Sequence, residues 1–411
     1  MTTNSITVFK GETSHLRRMV SVPDRISKEG YQRELEMIFS RAWLPSASAS
    51  DIPDKGSYIV VDIPPKKTSV VIVRGNDGIV RAFQNVCRHR GDQLVHGGQG
   101  CRKQFTCGFH GWRYSLEGAL IGVTDDTQFP ELDRSKLGLI PVNCEVWNDL
   151  ILLNFEKTPH MPLKDWLAGI YDQYSGYAEG CEKVGEHRVV LNANWNMAVN
   201  AFCEGYHNMY IHKYTVPDYQ GGKNNPMRHR AYIEVGKRFG RYSAHANMDH
   251  KRTPAEAVLY GRSRPLFPSF PKTDPKTQTL GINPSRFEEW AFDIVHLFPN
   301  FVFNPTANGH QYMWFWPINE DHVELRVVNY AFKARNAADR LAQAYSRVRL
   351  REVLREDLAT MEAASRMIAT GSLPFMVFSQ QELLIQNHYA IADEMMGRAP
   401  EPIEQRPLTA A

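Results

Sequence analysis

Apolar residues recur at helical spacing near the start of the chain. In KEGYQRELEMIFSRAWLPSA, Tyr31, Leu35, Ile38 and Phe39 share one face and Trp43 follows close behind, which predicts an amphipathic helix. From about Ser57 the period changes. SYIVVDI and SVVIVRG are β-rich runs, and GNDG (Gly75 to Gly78) predicts a turn before IVRAFQNV. RYSLEGAL and DLILLNFE predict further short strands. After Pro162 the pattern is mixed. NWNMAVNAFCEGYHNMYIHKY predicts a helix, and the stretch from Tyr219 to Pro284, rich in Gly, Pro and basic residues, predicts loops and short elements. DIVHLFPNFVFNP, QYMWFWPI and HVELRVVNYAF predict three strands. A long helix is predicted over NAADRLAQAYSRVRLREVLREDLATMEAASRMI, and a final one over QQELLIQNHYAIADEMMG, ending at Gly397. Strands followed by a long helix predict an α+β fold. The expected division is an N-terminal helical segment over 1–44 packed on the C-terminal domain, an all-β domain over 45–155, and the C-terminal domain over 156–411.

Composition narrows the partners. The chain has 411 residues, 43% hydrophobic and 23% charged, with a formal net charge of +3. That charge gives no reason to expect nucleic acid, which calls for a clustered basic surface. No apolar run approaches the length of a membrane span, and the N-terminus lacks the apolar core of a signal peptide, so a cytoplasmic location is expected. Six cysteines, at 87, 101, 107, 144, 181 and 203, make no disulfide framework in a long intracellular chain. Those at 101, 144, 181 and 203 are expected in the core. No Gly-x-Gly-x-x-Gly follows a strand, so no dinucleotide domain is expected.

The remaining two cysteines carry the chemistry. NVCRHRGDQL holds Cys87 and His89, and TCGFHGWRYS holds Cys107 and His110. Two thiolates and two imidazoles suit zinc. One cysteine and one histidine per loop also suit a [2Fe–2S] cluster in which the cysteines hold one iron and the histidines the other. Gly91, Gly108 and Gly111 would let backbone amides turn toward sulfur, and Trp112 and Tyr114 would shield it.

Through CRHRG and CGFHGWRY the chain resembles the Rieske proteins, in the form found in ring-hydroxylating oxygenases. Respiratory Rieske proteins carry an extra cysteine in each loop; here those positions are Asp92 and Phe109. The resemblance implies a Rieske [2Fe–2S] domain followed by a catalytic domain of helix-grip, START-like form that holds a mononuclear Fe(II). NAFCEGYHNMYIH offers Glu204, His207 and His212. Two histidines and a carboxylate make the facial triad of non-haem iron oxygenases. Residues five apart on a regular helix are rotated by about 140°, so His207 and His212 can share a metal only where the helix is distorted or ends. The family pattern implies that these two histidines and Asp357, in REDLATMEA with Glu362 five positions on, bind the iron, with Glu356 as the rival carboxylate. It further implies that Glu204 bridges His110 of one subunit to His207 of the next, and that Asn200 lies near the iron. Many members have aspartate where this chain has Glu204; glutamate also occurs in branches that act on quaternary amines.

The resemblance implies an oxygenase component that uses O2. Electrons would come from NAD(P)H through a separate reductase or ferredoxin, with Arg88 and Arg90 helping to dock it. The assembly implied is a homotrimer, with or without a β subunit. Phe202, Met209, Phe301, Phe303, Trp314 and Trp316 are candidates to line an apolar pocket for an aromatic or other hydrophobic substrate that is hydroxylated or dihydroxylated. The alternatives are oxidative N- or O-demethylation, a Rieske electron carrier, and a zinc-stapled binding protein.

Overall fold

The structure is a computed structural model and describes residues 8–216, 231–247, 250–261, 263–266 and 279–398. Two large sheets organise it. The first has seven strands, in the spatial order Leu44–Ser48, Leu150–Asn154, Pro141–Trp147, Val80–Gln84, Thr68–Arg74, Ser57–Ile63 and Gln99–Cys101. The run SVVIVRG is apolar at successive positions because both faces of its strand are covered. Val70 and Ile72 enter the large core of the molecule, while Val71 and Val73 enter a smaller one. That smaller core sits under a three-stranded sheet of Phe105–Thr106, Arg113–Tyr114 and Leu120–Gly122, and all its buried members fall between Tyr58 and Leu139. The first sheet is thus a partition between a tip and the rest of the chain.

The second sheet has eight strands, in the order Val8–Lys10, Ala231–Val235, Phe239–His245, Trp290–Leu297, Phe301–Thr306, Gly309–Pro317, Val323–Phe332 and Cys181–Leu191. Neighbours are antiparallel except the first pair. Four helices matter to the site: α1 (Trp195–Asn200), α2 (Asn208–Ile211), α3 (Ala337–Ile368) and α4 (Leu383–Met395). Helix α4 lies directly on the sheet. A Cβ at Gly240 would sit 2.5 Å from Leu384 Cγ, so only glycine permits this approach. The N-terminal segment joins the same body. Met19–Ser21 pairs with Phe375–Val377, and Arg25 grips Asp393 with two bonds of 2.8 and 2.9 Å. Lys28–Glu34 is α-helical and passes into a π-helical turn over Leu35–Phe39.

Four sequence expectations need correction. DIVHLFPNFVFNP is a hairpin, Trp290–Leu297 and Phe301–Thr306, turned around Pro299; its apolar positions run on through the turn because the turn itself is buried. NWNMAVNAFCEGYHNMYIHKY is two short helices with a break. The Tyr219 to Pro284 stretch, partly outside the described residues, contains the strands Ala231–Val235 and Phe239–His245 and the helix Pro254–Tyr260. Its charges concealed these strands: Glu234 and Arg241 are register partners that bury their ion pair between neighbouring strands. Of the four cysteines expected in the core, Cys203 is buried, Cys144 and Cys181 are half-buried, and Cys101 is exposed on an edge strand.

Two candidate metal centres

The two Cys/His loops have the same backbone design. Cys87 N–H donates to Asp92 O (2.8 Å) and Gly91 N–H donates to Cys87 O (3.0 Å). Cys107 N–H donates to Trp112 O (2.9 Å) and Gly111 N–H donates to Cys107 O (3.1 Å). Gly91 and Gly111 close the turns at φ of +81° and +72°, where a side chain would be strained. The paired turns bring the four candidate ligands together. His89 Nδ1 and His110 Nδ1 lie 3.2 Å apart, and both cysteines are buried. Tyr114 Oη is 3.4 Å from Cys87 Sγ and accepts from Arg88 N–H (3.0 Å). Trp112 stacks on His89 with ring centres 4.8 Å apart, and Phe129 meets both rings edge-on. Burial raises the Cys107 thiol; burial, then the His110 charge, lowers His89. Arg88 is tied back to Gly138 O (2.8 Å), whereas Arg90 lies over the exposed Phe109 ring.

The second centre forms where the helix breaks. Helix α1 ends at Asn200, and Gly205 brings the chain against Tyr242, where a Cβ would sit 2.4 Å from the phenol oxygen. Glu204 then receives the backbone N–H groups of Tyr206 and His207, so its carboxylate braces the turn that leads into α2. His207 and His212 flank α2 as its N-cap and C-cap. The break removes the rotation that a regular helix would impose. His207 Nε2 and His212 Nε2 lie 3.3 Å apart, and Asp357 Oδ1 on α3 is 3.5 and 3.2 Å from them.

Each ring is oriented by a carboxylate behind it. His207 Nδ1–H donates to Glu204, and His212 Nδ1–H donates to Glu356 (2.9 Å), which also accepts from Thr215 Oγ1 (2.6 Å). Both rings therefore turn Nε2 toward Asp357. Burial disfavours the imidazolium at each ring, but Glu204 and Asp357 at His207, and Asp357 and Glu356 at His212, outweigh it and raise both pKa values. A set of two Nε2 atoms and a carboxylate oxygen, all within 4.8 Å, with anionic groups behind both rings, fits a divalent cation.

The centre lies on the wall of a cavity of about 130 Å³. Phe202 lines it. Phe301, Phe303 and Trp314 do not reach it: they point to the other face of the sheet, where Phe303 packs on Trp147 and Tyr174 and Phe301 on Trp314. Alternate residues of these fully buried strands serve opposite faces, a division that apolarity alone does not reveal. Asn200 donates to Tyr389 Oη (2.7 Å) on α4. Glu362, in the spacing that marked Asp357, instead accepts from Asn192. Residues that sequence reasoning did not single out include Asn304, Gln311 and Arg349, all lining the cavity; a period-two reading of the strands was the available signal for Asn304 and Gln311, and helical spacing along α3 for Arg349.

Fold and sites together define an iron–sulfur domain joined to a catalytic domain with a centre of two histidines and one carboxylate. The chain belongs to the ring hydroxylating alpha subunit family, whose catalytic-domain model matches residues 178–398, and the Rieske [2Fe-2S] domain model matches residues 42–133. It is 37% identical over 194 residues to the large oxygenase component of a naphthalene 1,2-dioxygenase system from Pseudomonas aeruginosa, covering 45% of this chain and 42% of that protein. With the carnitine monooxygenase oxygenase subunit of Escherichia coli (strain K12) it shares 28% identity over 195 residues, 46% of this chain and 50% of that one. The matched region is thus half or less of each relative's length. Among solved structures, the quaternary ammonium Rieske monooxygenase CntA in complex with an inhibitor superposes with a TM-score of 0.74 at 18% identity, covering 95% of this chain and 100% of that one. Naphthalene 1,2-dioxygenase from Rhodococcus sp. bound to indole gives 0.73 at 21%, covering 92% and 94%. These likenesses show the fold. Among the described residues, no helix is long and apolar enough to cross a membrane.

Proposed function

We propose that the chain is the terminal oxygenase component of a multicomponent system, in which a separate reductase or ferredoxin delivers electrons from NAD(P)H and a small molecule is hydroxylated with O2. The observation that carries this reading is the shared aim of His207 Nε2, His212 Nε2 and Asp357 Oδ1 on the wall of a cavity. When bound, the [2Fe–2S] cluster held by Cys87, His89, Cys107 and His110 supplies single electrons, and the mononuclear iron held by His207, His212 and Asp357 supplies a place to activate dioxygen. The chain's own residues do the rest. Glu204 and Glu356 keep each histidine's proton on Nδ1, so that Nε2 stays free as a ligand. Asp357 and His212 are each about one-twentieth exposed, so the centre is set back from the outer surface.

Glu204 has a second role in this reading: it connects His207 to His110 of the partner subunit. Two features support a path between copies. The tip's buried residues form a core of their own, confined to 58–139. Beside Glu204, Tyr206, Tyr210 and Tyr214 are 49%, 75% and 79% exposed, an aromatic face suited to docking.

Iron analysis tests the reading. Purified protein should hold about three irons per chain, two of them in the cluster. Asp357→Ala should lose the mononuclear iron and keep the cluster absorption. An unchanged iron count in that variant would place the third ligand elsewhere, and a colourless zinc protein would end the oxygenase reading.

A further inference from the structure

The candidate iron ligands stand on two elements that only folding brings together: His207 and His212 at the ends of α2, and Asp357 on α3. The short helix α1 leads into α2, and adjacent residues of α4 hold it at both ends. In its first turn, Asn196 Oδ1 lies 2.8 Å from His388 Nε2. A carboxamide oxygen only accepts, so Nε2 carries the proton, and burial keeps the His388 imidazole neutral. At its last residue, Asn200 Nδ2 donates to Tyr389 Oη (2.7 Å). All four side chains are buried.

The holding residues are fixed in turn. The Arg25 guanidinium lies 4.5 Å from the centre of the Tyr389 ring, and Phe378 stacks on that ring at 5.9 Å. Asn387, beside them, donates to Gly236 O and Phe239 O (3.1 and 3.0 Å), which ties α4 to the sheet. The link onward to the centre is short. Asn200 O accepts from Cys203 N–H (2.9 Å), and the next residue, Glu204, orients His207. Stability alone does not account for the bond at Asn200. Its Oδ1 is buried without a partner, and an apolar pair of the same shape would be neutral or stabilising there.

We propose that His388 and Tyr389 are positioning residues for the iron centre: by holding both ends of α1 they set where Glu204 and His207 stand relative to Asp357. The inference rests on the oxygenase reading, since it takes the metal at that centre to be iron.

The test uses iron-loaded full-length protein with nitric oxide as the probe, because its complex with ferrous iron gives an electron paramagnetic resonance signal whose line shape follows the ligand geometry. Tyr389→Phe removes one oxygen and keeps the ring. It should change the line shape and weaken iron about fivefold in competition with a chelator, the worth of one hydrogen bond. Asn200→Leu combined with Tyr389→Phe should do the same while the thermal midpoint stays at or above that of wild type. His388→Leu should also change the signal, and His388→Gln, which can still donate to Asn196, should restore it. An unchanged signal in both Tyr389→Phe and His388→Leu, or a change seen only where the midpoint falls, would overturn the proposal. Failure of the oxygenase reading is separate: it would appear as wild-type protein without mononuclear iron, before any variant is compared.

Discussion

At the scale of single residues, the rival carboxylates of α3 have different places. Asp357 faces the Nε2 atoms of both histidines, while Glu356 stands behind His212 on Nδ1. The family resemblance brought both to notice, but their division depends on which side of one ring each reaches, and that depends on where α2 ends. Glu356→Leu should lower iron affinity about ten- to a hundredfold, measured by competition with a chelator, while Glu356→Gln, which still accepts from His212 and Thr215, should retain most of it. Equal affinity in the leucine variant and wild type would remove Glu356 from the site. The proposed Rieske ligands were the easiest part of the chain to bring together from sequence because they are local: two short turns set their geometry, and the turn-closing glycines are visible beside them. The bond from Asn200 to Tyr389 was not legible, since no local pattern says which two helices will pack together.

At the scale of elements, the break between α1 and α2 decides whether the proposed metal ligands meet. Apolar spacing through Val199, Phe202 and Cys203 predicts an unbroken helix; Gly205, needed for close approach to Tyr242, was the available sign of a stop. The start of α1 is fixed from outside. Glu34, at the end of its own helix, accepts from Trp195 Nε1 (2.7 Å) and Asn196 Nδ2 (3.0 Å). Burial pushes its carboxyl up from 4.5 to about 7, against the pull of those bonds and of Arg25. A carboxyl raised in the folded state opposes folding once ionised. Its contribution therefore favours the fold below about pH 4.5, declines as pH rises toward about 7, and is constant above that. The decline is on the order of 3 kcal/mol. Glu34→Gln should flatten it, and urea midpoints at pH 5 and pH 8 would show this as a smaller pH-dependent difference than in wild type. Parallel slopes in the two proteins would mean that Glu34 does not titrate in this range.

At the scale of the whole molecule, the tip and the cavity belong to different parts of the fold, and the proposed electron path joins them across copies. A mixed assembly tests it. Cys107→Ser should lose the cluster and Asp357→Ala the mononuclear iron, and each should be inactive alone. Co-expressed, they should recover turnover if the path crosses from one copy to its neighbour; a mixture as inactive as its parts would place the path within a single chain. The general architecture was legible because alternation and helix length are properties of the chain itself. The strands over Ala231–Val235 and Phe239–His245 were not, because Glu234 and Arg241 satisfy each other only after folding. The separate core beneath the tip also bears on how a preparation is judged. Colour reports the redox end alone, so a brown sample can lack the iron that handles oxygen, and a bleached one can retain it. Fitness for turnover has to be assayed at each end.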